Sequence, residues 1–300
     1  MEKKPEYFFK YTTARAAKKT LKNLKVKYSS PLTFNDPFDS KFGLNIDYNP
    51  DTIKEDYKNR LDELSKSENE PEFYKDFDGV LAENIRLLRR LYVEKPRDEF
   101  YKILADLKYD KVKEAIEKEI HKAHDDWYKY MKRMVFFCVS ESEEPDNQLM
   151  WSHYTNGHKG TVIKFKCLPG TFLYDAEKVL YKKKAPVYAT NEDLVDFYTG
   201  QKKLEHRGKF LLRMIKTKSD IWEYEEEWRS MHEKYIEDDE LFVMNSIQPD
   251  VIDSVYFGCN MGEHTQENLL RLLCGKLQNV KAFRVKDESS SFKLEFVRIK

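Results

Sequence analysis

The stretch Val135–Lys166, VFFCVSESEEPDNQLMWSHYTNGHKGTVIKFK, decides how this chain is read. Val135, Phe136, Phe137, Cys138 and Val139 form a continuous apolar run of β-branched and aromatic residues, which predicts a strand covered on both faces. Ser140 to Asn147 then gather Ser, Glu, Pro, Asp and Asn, so the strand stops there. Asp146 or Asn147 can cap a short helix carrying Leu149, Met150, Trp151 and Tyr154, with Gly157 and Gly160 ending it. From Val162 to Lys166 apolar and basic residues alternate, the pattern of a second, half-buried strand. Two strands thus bracket a short helix rich in hydrogen-bonding side chains: Ser152, His153, Tyr154 and His158. A site is expected there, with His158 in a structural role.

Upstream, Glu6–Tyr11 reads as a strand. Thr12 or Thr13 then caps a helix through Ala16, Ala17, Leu21 and Leu24, and Val26 and Tyr28 mark a second strand. FNDPFD at Phe34–Asp39 follows, where Pro37 drives Asp36 out of the helical region. Its Asn35, Asp36 and Asp39 are candidate ligand-binding groups, although composition alone favours a pinned surface turn. From about 51 to 134 the chain changes to helix formers and charges. Ile53, Tyr57, Leu61 and Leu64 form one stripe, and Val112, Ile116, Ile120, Ala123, Trp127, Tyr130 and Met134 a longer one. Three or four helices are predicted as an insertion. His121, His124 and Asp125 share a helix side but lack further ligands, so no metal is predicted. Arg86, Arg89, Arg90, Lys95 and Arg97 read as a solvated helix face.

Downstream, Phe172–Tyr174 and Val179–Tyr181 are strand candidates, and helical segments begin at Asn191 and around Phe210. WEYEEEWR at Trp222–Arg229 reads as a strand with Trp222, Tyr224 and Trp228 on one face and Glu223, Glu225, Glu227 and Arg229 on the other. Three carboxylates on one side repel unless a cation or ligand compensates, so at least one should have a raised pKa. The row is either a site or a solvent-facing edge strand. The chain closes with a strand at Val251–Gly258, a helix at Glu263–Leu277 and strands at Val280–Val285 and Phe292–Ile299. The fold class expected is α+β: a mixed, mainly antiparallel central sheet with flanking helices, one domain carrying a helical insertion.

With 53 basic and 53 acidic residues the chain has no net field to attract nucleic acid or acidic membrane, though local patches remain open. Cys138, Cys167, Cys259 and Cys274 show no paired-thiol spacing and no apolar run spans a membrane. MEKKPEYFF also lacks a signal peptide's apolar centre, so a cytoplasmic protein with reduced thiols is expected. The glycines are too scattered for a dinucleotide fingerprint.

FNDPFD, LMWSHY at Leu149–Tyr154 followed by HKG at His158–Gly160, and WEYEEEWR, in this order, resemble the signature set of the bacterial Domain of Unknown Function 2971 family. A more distant similarity is to the core of ADP-ribosyltransferases. There VFFCVSES, Ser152 with Tyr154, GTVIKFK and Glu227 with Trp228 would take the corresponding places. That resemblance implies NAD as substrate, Glu227 as catalytic carboxylate and Glu225 orienting the acceptor. It also implies Ser152, His153 and Tyr154 at the nicotinamide, and Lys10 or Tyr11 where the first strand usually offers His or Arg. Such an enzyme would act as a toxin or defence effector. The alternative is a non-catalytic ligand-sensing or protein-interaction domain built on Trp151, His153, Trp222, Trp228 and Arg229. A metal-dependent nuclease using Asp36, Asp39, Glu225 and Glu227 stands third.

Overall fold

A computed structural model describes residues 4–39, 45–68, 79–107, 109–234, 240–288 and 291–300. In chain order the elements begin with β1 (Tyr7–Thr12), α1 (Ala14–Asn23), β2 (Lys25–Ser29) and β3 (Ile46–Asp47). Four helices follow, α2 (Ile53–Lys66), α3 (Gly79–Glu94), α4 (Arg97–Ala105) and α5 (Asp110–Arg133). Then come β4 (Met134–Ser140), α6 (Gln148–Tyr154), β5 (Thr161–Lys166), β6 (Glu177–Lys178), β7 (Leu180–Lys182) and β8 (Ala189–Thr190). The remainder is α7 (Asn191–Tyr198), α8 (Arg207–Ile215), β9 (Thr217–Ser219), β10 (Glu227–Glu233), β11 (Phe242–Ser246), β12 (Ile252–Phe257), α9 (Glu263–Leu272), β13 (Lys281–Glu288) and β14 (Lys293–Arg298).

The chain divides into two compact units, Met1–Lys41 with Met131–Lys184 and Lys216–Lys300, and Phe42–Tyr130 with Ala185–Ile215. In the second, the α2 stripe Ile53, Tyr57, Leu61 and Leu64 is buried with Ile85, Leu88, Phe100, Leu104 and Ile116. Ala189, Leu194 and Val195 join this core, so the helical region draws on a later piece of chain as well. The α5 stripe is likewise inward at Ile116, Ala123 and Trp127, while the side chain of Val112 lies outside the described residues. His121, His124 and Asp125 are exposed, as are Arg86, Arg90, Lys95 and Arg97.

The first unit is built on a sheet of order β11-β2-β4-β1-β5-β12-β13-β14, with β10 pairing β4 and β6. Every pairing in it is antiparallel except β12 with β13, which the α9 crossover makes parallel. The fold is therefore α+β with a mixed, largely antiparallel sheet. Both faces are covered, and β1 shows why: Phe8 enters one core with Ala17 and Leu21 of α1 and Leu269 of α9, while Phe9 and Tyr11 enter a second with Met150 and Trp151 of α6. Period-two alternation in one strand thus feeds two aromatic-rich cores.

The local signals act as chemistry demands. Thr13 caps α1 by accepting from the Ala16 N–H (3.3 Å), and Asn147 caps α6 by accepting from the Met150 N–H (3.1 Å). Four expectations differ. Phe172–Tyr174 is a turn whose Phe172 ring packs against the core instead of a strand. The last helix ends at Leu272, and a left-handed Gly275 (φ 61°) opens a short 3-10 turn. The strand β5 is buried at Thr161, Val162 and Ile163, more than half-buried, because β1 and β12 flank it and both cores cover it. The strand β11 carried no strong sequence signal, and it forms by pairing residue for residue with β2.

The HKG turn explains its own glycine. A Cβ at Gly160 would fall on the Thr12 carbonyl oxygen, and one at Gly258 on the carbonyl oxygen of His158, with the Gly258 N–H donating to the Gly160 oxygen at 3.0 Å. Two backbones cross where no side chain fits. Gly258→Ala is therefore expected to cost about 1–3 kcal/mol through overpacking, read as a lowered thermal midpoint. An unchanged midpoint would show that the end of β12 can move aside.

Candidate functional site

The sheet parts around β4, which pairs with β1 only at Ser140–Phe9 and with β2 only at Phe136–Ser29, while β10 runs along its full length from Glu227–Ser140 to Glu233–Met134. At this parting lies a cleft of about 330 Å³. Phe9, Lys10 and Tyr11 of β1 line it, with Ser29, Thr33, Phe34, Asn35 and Asp39 from β2 and the turn beyond, and Cys138, Val139 and Ser140 of β4. Met150 and Tyr154 of α6, Lys218 of β9, Glu225 and Glu227 complete the lining.

WEYEEEWR is not one strand. Asp220–Glu225 is a 3-10 segment, Glu226 sits in the left-handed region (φ 45°), and β10 starts at Glu227. Glu223 is exposed, so the expected row of three carboxylates is reduced to two, Glu225 and Glu227, and both are buried. Trp228 points into the core beside Phe8 (5.4 Å between centroids), whereas Trp222 and Tyr224 pack on each other at 6.0 Å away from that core.

Around the two glutamates is a buried ionic network. Arg229 donates from Nε to Glu227 Oε1 (2.7 Å) and from Nη2 to Glu227 Oε2 (3.2 Å) and Asp39 Oδ2 (2.7 Å). Lys218 Nζ reaches Glu225 Oε2 at 2.5 Å, Glu227 Oε2 at 2.9 Å and Asp39 Oδ2 at 3.8 Å. The Tyr154 hydroxyl donates to Glu225 Oε1 (2.5 Å), and the Glu227 N–H donates to the Tyr181 hydroxyl (2.8 Å). Three carboxylates thus share two buried cations, the fork geometry of Arg229 fixing one of them.

The pKa values of the two glutamates are shifted in opposite directions. Burial raises Glu227, but Arg229 and then Lys218 outweigh it and hold its carboxyl far below the ordinary range. Burial also raises Glu225, and there Lys218 does not cancel it, so the net shift is upward. Tyr154 is pushed up by burial and by the Glu225 charge, which keeps its proton in place as a donor. Burial likewise raises the Cys138 thiol, with the Glu227 charge adding to it, so the thiol at the cleft wall is a neutral group.

Of the residues singled out from sequence, Lys10, Tyr11, Asn35, Asp39, Tyr154, Glu225 and Glu227 come together in the cleft. Lys10 Nζ donates to the Cys138 carbonyl at 2.7 Å. Arg229 lies beneath, fully buried, and acts through its bonds to Glu227 and Asp39. The others lie elsewhere. Ser152 and His153 are exposed on α6 and do not line the cleft, because the helix turns Met150 and Tyr154 inward instead; His153 sits 6.5 Å from the Trp222 ring. Trp151 is core, 0% exposed, donating from Nε1 to the Pro145 carbonyl and meeting Tyr11 edge-on at 5.7 Å. Asp36 accepts from the Phe38 N–H (2.8 Å), the Asx turn that shapes FNDPFD, and only its neighbours Asn35 and Asp39 reach the cleft. His158 stacks on Trp151 (6.2 Å, 11°) and does not line the cleft.

Sequence reasoning missed Lys218, Tyr181, Cys138 and Ser140. The usable signal for Lys218 was the acidic row itself, which demanded more compensation than Arg229 alone supplies. In the nuclease reading Asp39, Glu225 and Glu227 would face a metal, and here the Lys218 ammonium stands among them. No described helix is long and apolar enough to cross a membrane.

No curated protein and no solved structure matches this chain. A family model does match, over residues 150–230, from the second residue of LMWSHY past the end of WEYEEEWR and so across Tyr154, Lys218, Glu225 and Glu227 of the cleft and the buried Arg229 that holds Glu227. Over that segment the chain matches the family described as Protein of unknown function (DUF2971).

Proposed function

We propose that the cleft cleaves the bond between nicotinamide and ribose in NAD and transfers ADP-ribose, as in the ADP-ribosyltransferases that the chain distantly resembles. One observation carries this reading: an ionised carboxylate, Glu227, held by Arg229 in a small cleft beside the rings of Tyr11, Phe34 and Tyr154, with a second carboxyl, Glu225, whose pKa burial raises. When the C1′–N bond breaks, its electron pair leaves with nicotinamide and positive charge develops on the ribose, so a fixed negative group nearby lowers the barrier. Glu225, ionised and with its pKa raised by burial, accepts the proton lost by the attacking nucleophile. The cleft's volume, about 330 Å³, is at the small end for ligand sites and suits the nicotinamide-ribose end of the dinucleotide. Ser140, in the cleft, takes the part first assigned to Ser152.

A second reading, recognition of a ligand without turnover, is favoured by one observation: both Glu227 oxygens are engaged by Arg229 and Lys218. Calorimetric titration with NAD, with nicotinamide release followed in the same samples, separates the two. Under the transferase reading wild type binds and releases nicotinamide, Glu227→Gln slows release by about 10²–10³-fold, and Tyr154→Phe, which removes no buried charge, slows it less. Thermal melts of each variant show whether the fold is kept. Binding without release selects the recognition reading, and neither heat nor release overturns both for NAD.

A further inference from the structure

The zero net charge of the chain hides a strongly one-sided segment. From Tyr7 to Asn35 there are seven basic residues and no acidic one. Four of them, Arg15, Lys18, Lys19 and Lys22, fall at helix positions i, i+3, i+4 and i+7 of α1, and so form one stripe about 10 Å long. The opposite side of the helix, Ala17 and Leu21, is locked in the sheet's core, which fixes the stripe outward, and all four cations are exposed. Among the described residues no ion pair engages any of them. On the neighbouring α9, Glu267 pairs within its own helix with Arg271 at 3.7 Å.

Local helix physics disfavours this arrangement. Like charges three and four apart repel, and Arg15 places a cation in a first turn that has no acidic residue, against the helix dipole. A polyanion supplies the compensation that the chain itself leaves out. Two macromolecular polyanions offer themselves, and the structure favours one. An interfacial helix inserts an apolar face among lipid chains, but the apolar face of α1 is already buried in the protein. A rigid, evenly charged stripe instead matches the closely spaced phosphates of a nucleic acid, which bind by neutralisation and counterion release. Arg15 is four residues from Tyr11 of the cleft, so the stripe begins within about 14 Å of it by chain length alone.

We propose that Arg15, Lys18, Lys19 and Lys22 of α1 form a contact surface for the phosphate backbone of a nucleic acid. This is independent of the cleft's chemistry and stands whether or not NAD is the substrate. The test is fluorescence anisotropy of labelled duplex DNA, single-stranded DNA and single-stranded RNA of one sequence, across a salt series, with phosphatidylserine vesicles as a separate arm. Neutralising about four phosphates gives a salt slope of roughly −3 to −4 on duplex DNA, so affinity falls on the order of 10²-fold between ~50 and ~200 mM salt. The variant with all four residues changed to Gln should bind about 10-fold or more weakly at low salt, with a shallower slope and a thermal midpoint no lower than that of wild type. Lys18→Gln with Lys22→Gln should remove roughly half of the slope. Equal affinity and slope in wild type and both variants, no binding to any of the three nucleic acids, or binding to vesicles alone would each overturn the proposal.

Discussion

An Arg229→Met protein is expected to be less stable than wild type by about 3–5 kcal/mol in urea denaturation at neutral pH, the range for removing one partner of a buried ion pair. Arg229 is 0% exposed, and its guanidinium is the shared donor of Glu227 and Asp39, which are themselves 4% and 3% exposed. Methionine fills much of the same volume, so lost packing is a minor part of the effect. What remains is three buried carboxylates facing one ammonium, Lys218. The sign of the pH dependence follows from Glu227. Its folded pKa lies below its unfolded value, so its stabilisation is fully present above the unfolded pKa, near 4.3–4.5, and is lost as pH falls through the folded pKa. In the variant that stabilisation is missing, so its deficit against wild type should narrow as pH drops below about 4. Asp39→Asn combined with Arg229→Met should cost less than the two single losses together, because the second change removes a charge that the first left unpaired. A deficit under about 1 kcal/mol, the scale of exposed pairs, would show that water reaches the network and screens it.

How much of this was legible in the chain depends on whether the signal was local. The strand VFFCV and the Asn147 cap are set by neighbours in sequence and fold as their patterns predict, and Val162–Lys166 is the strand its alternation predicts, though more buried than that pattern implies. The last turn of WEYEEEWR was not legible. Period two placed Glu225 and Glu227 on one side, and both do line the cleft, but Glu226 adopts a left-handed conformation that no side-chain pattern announces. The choice between Ser152 and Tyr154 was likewise beyond the pattern. On a seven-residue helix several faces are polar, and which one turns to the cleft depends on Met150 and Trp151 packing with Tyr11 and Tyr256. Lys218 comes from another stretch of chain, and the edge strand β11 takes its conformation from its partner β2. Long-range partners of this kind are set by tertiary structure, not by local propensity.

The two glutamates of the cleft should respond in opposite directions to the same substitution. Glu227→Gln leaves Arg229 fully buried with half its carboxylate partners and is expected to cost about 3 kcal/mol at pH 7. Glu225→Gln keeps one acceptor oxygen, enough for either the Tyr154 hydroxyl or Lys218, whose charge still has Glu227 and Asp39. It also removes an ion that burial disfavours. Its folded pKa is raised, so Glu225 stabilises the fold in its protonated form, and that contribution disappears as pH rises through the folded pKa. At pH 7 the variant should therefore match wild type or exceed it by up to about 1 kcal/mol, and any advantage should vanish on acidification. Catalysis, if the cleft turns NAD over, divides differently. Glu227→Gln removes the charge that the ribosyl cation needs, while Glu225→Gln spares cleavage of NAD and impairs transfer to an acceptor that must lose a proton. Denaturation curves at pH 4, 5.5 and 7 for both variants, with nicotinamide release and acceptor labelling measured side by side, test stability and chemistry independently. Equal destabilisation by both substitutions would refute the opposite pKa shifts of the pair, since a carboxylate favoured by two cations and one disfavoured by burial do not cost the same to neutralise.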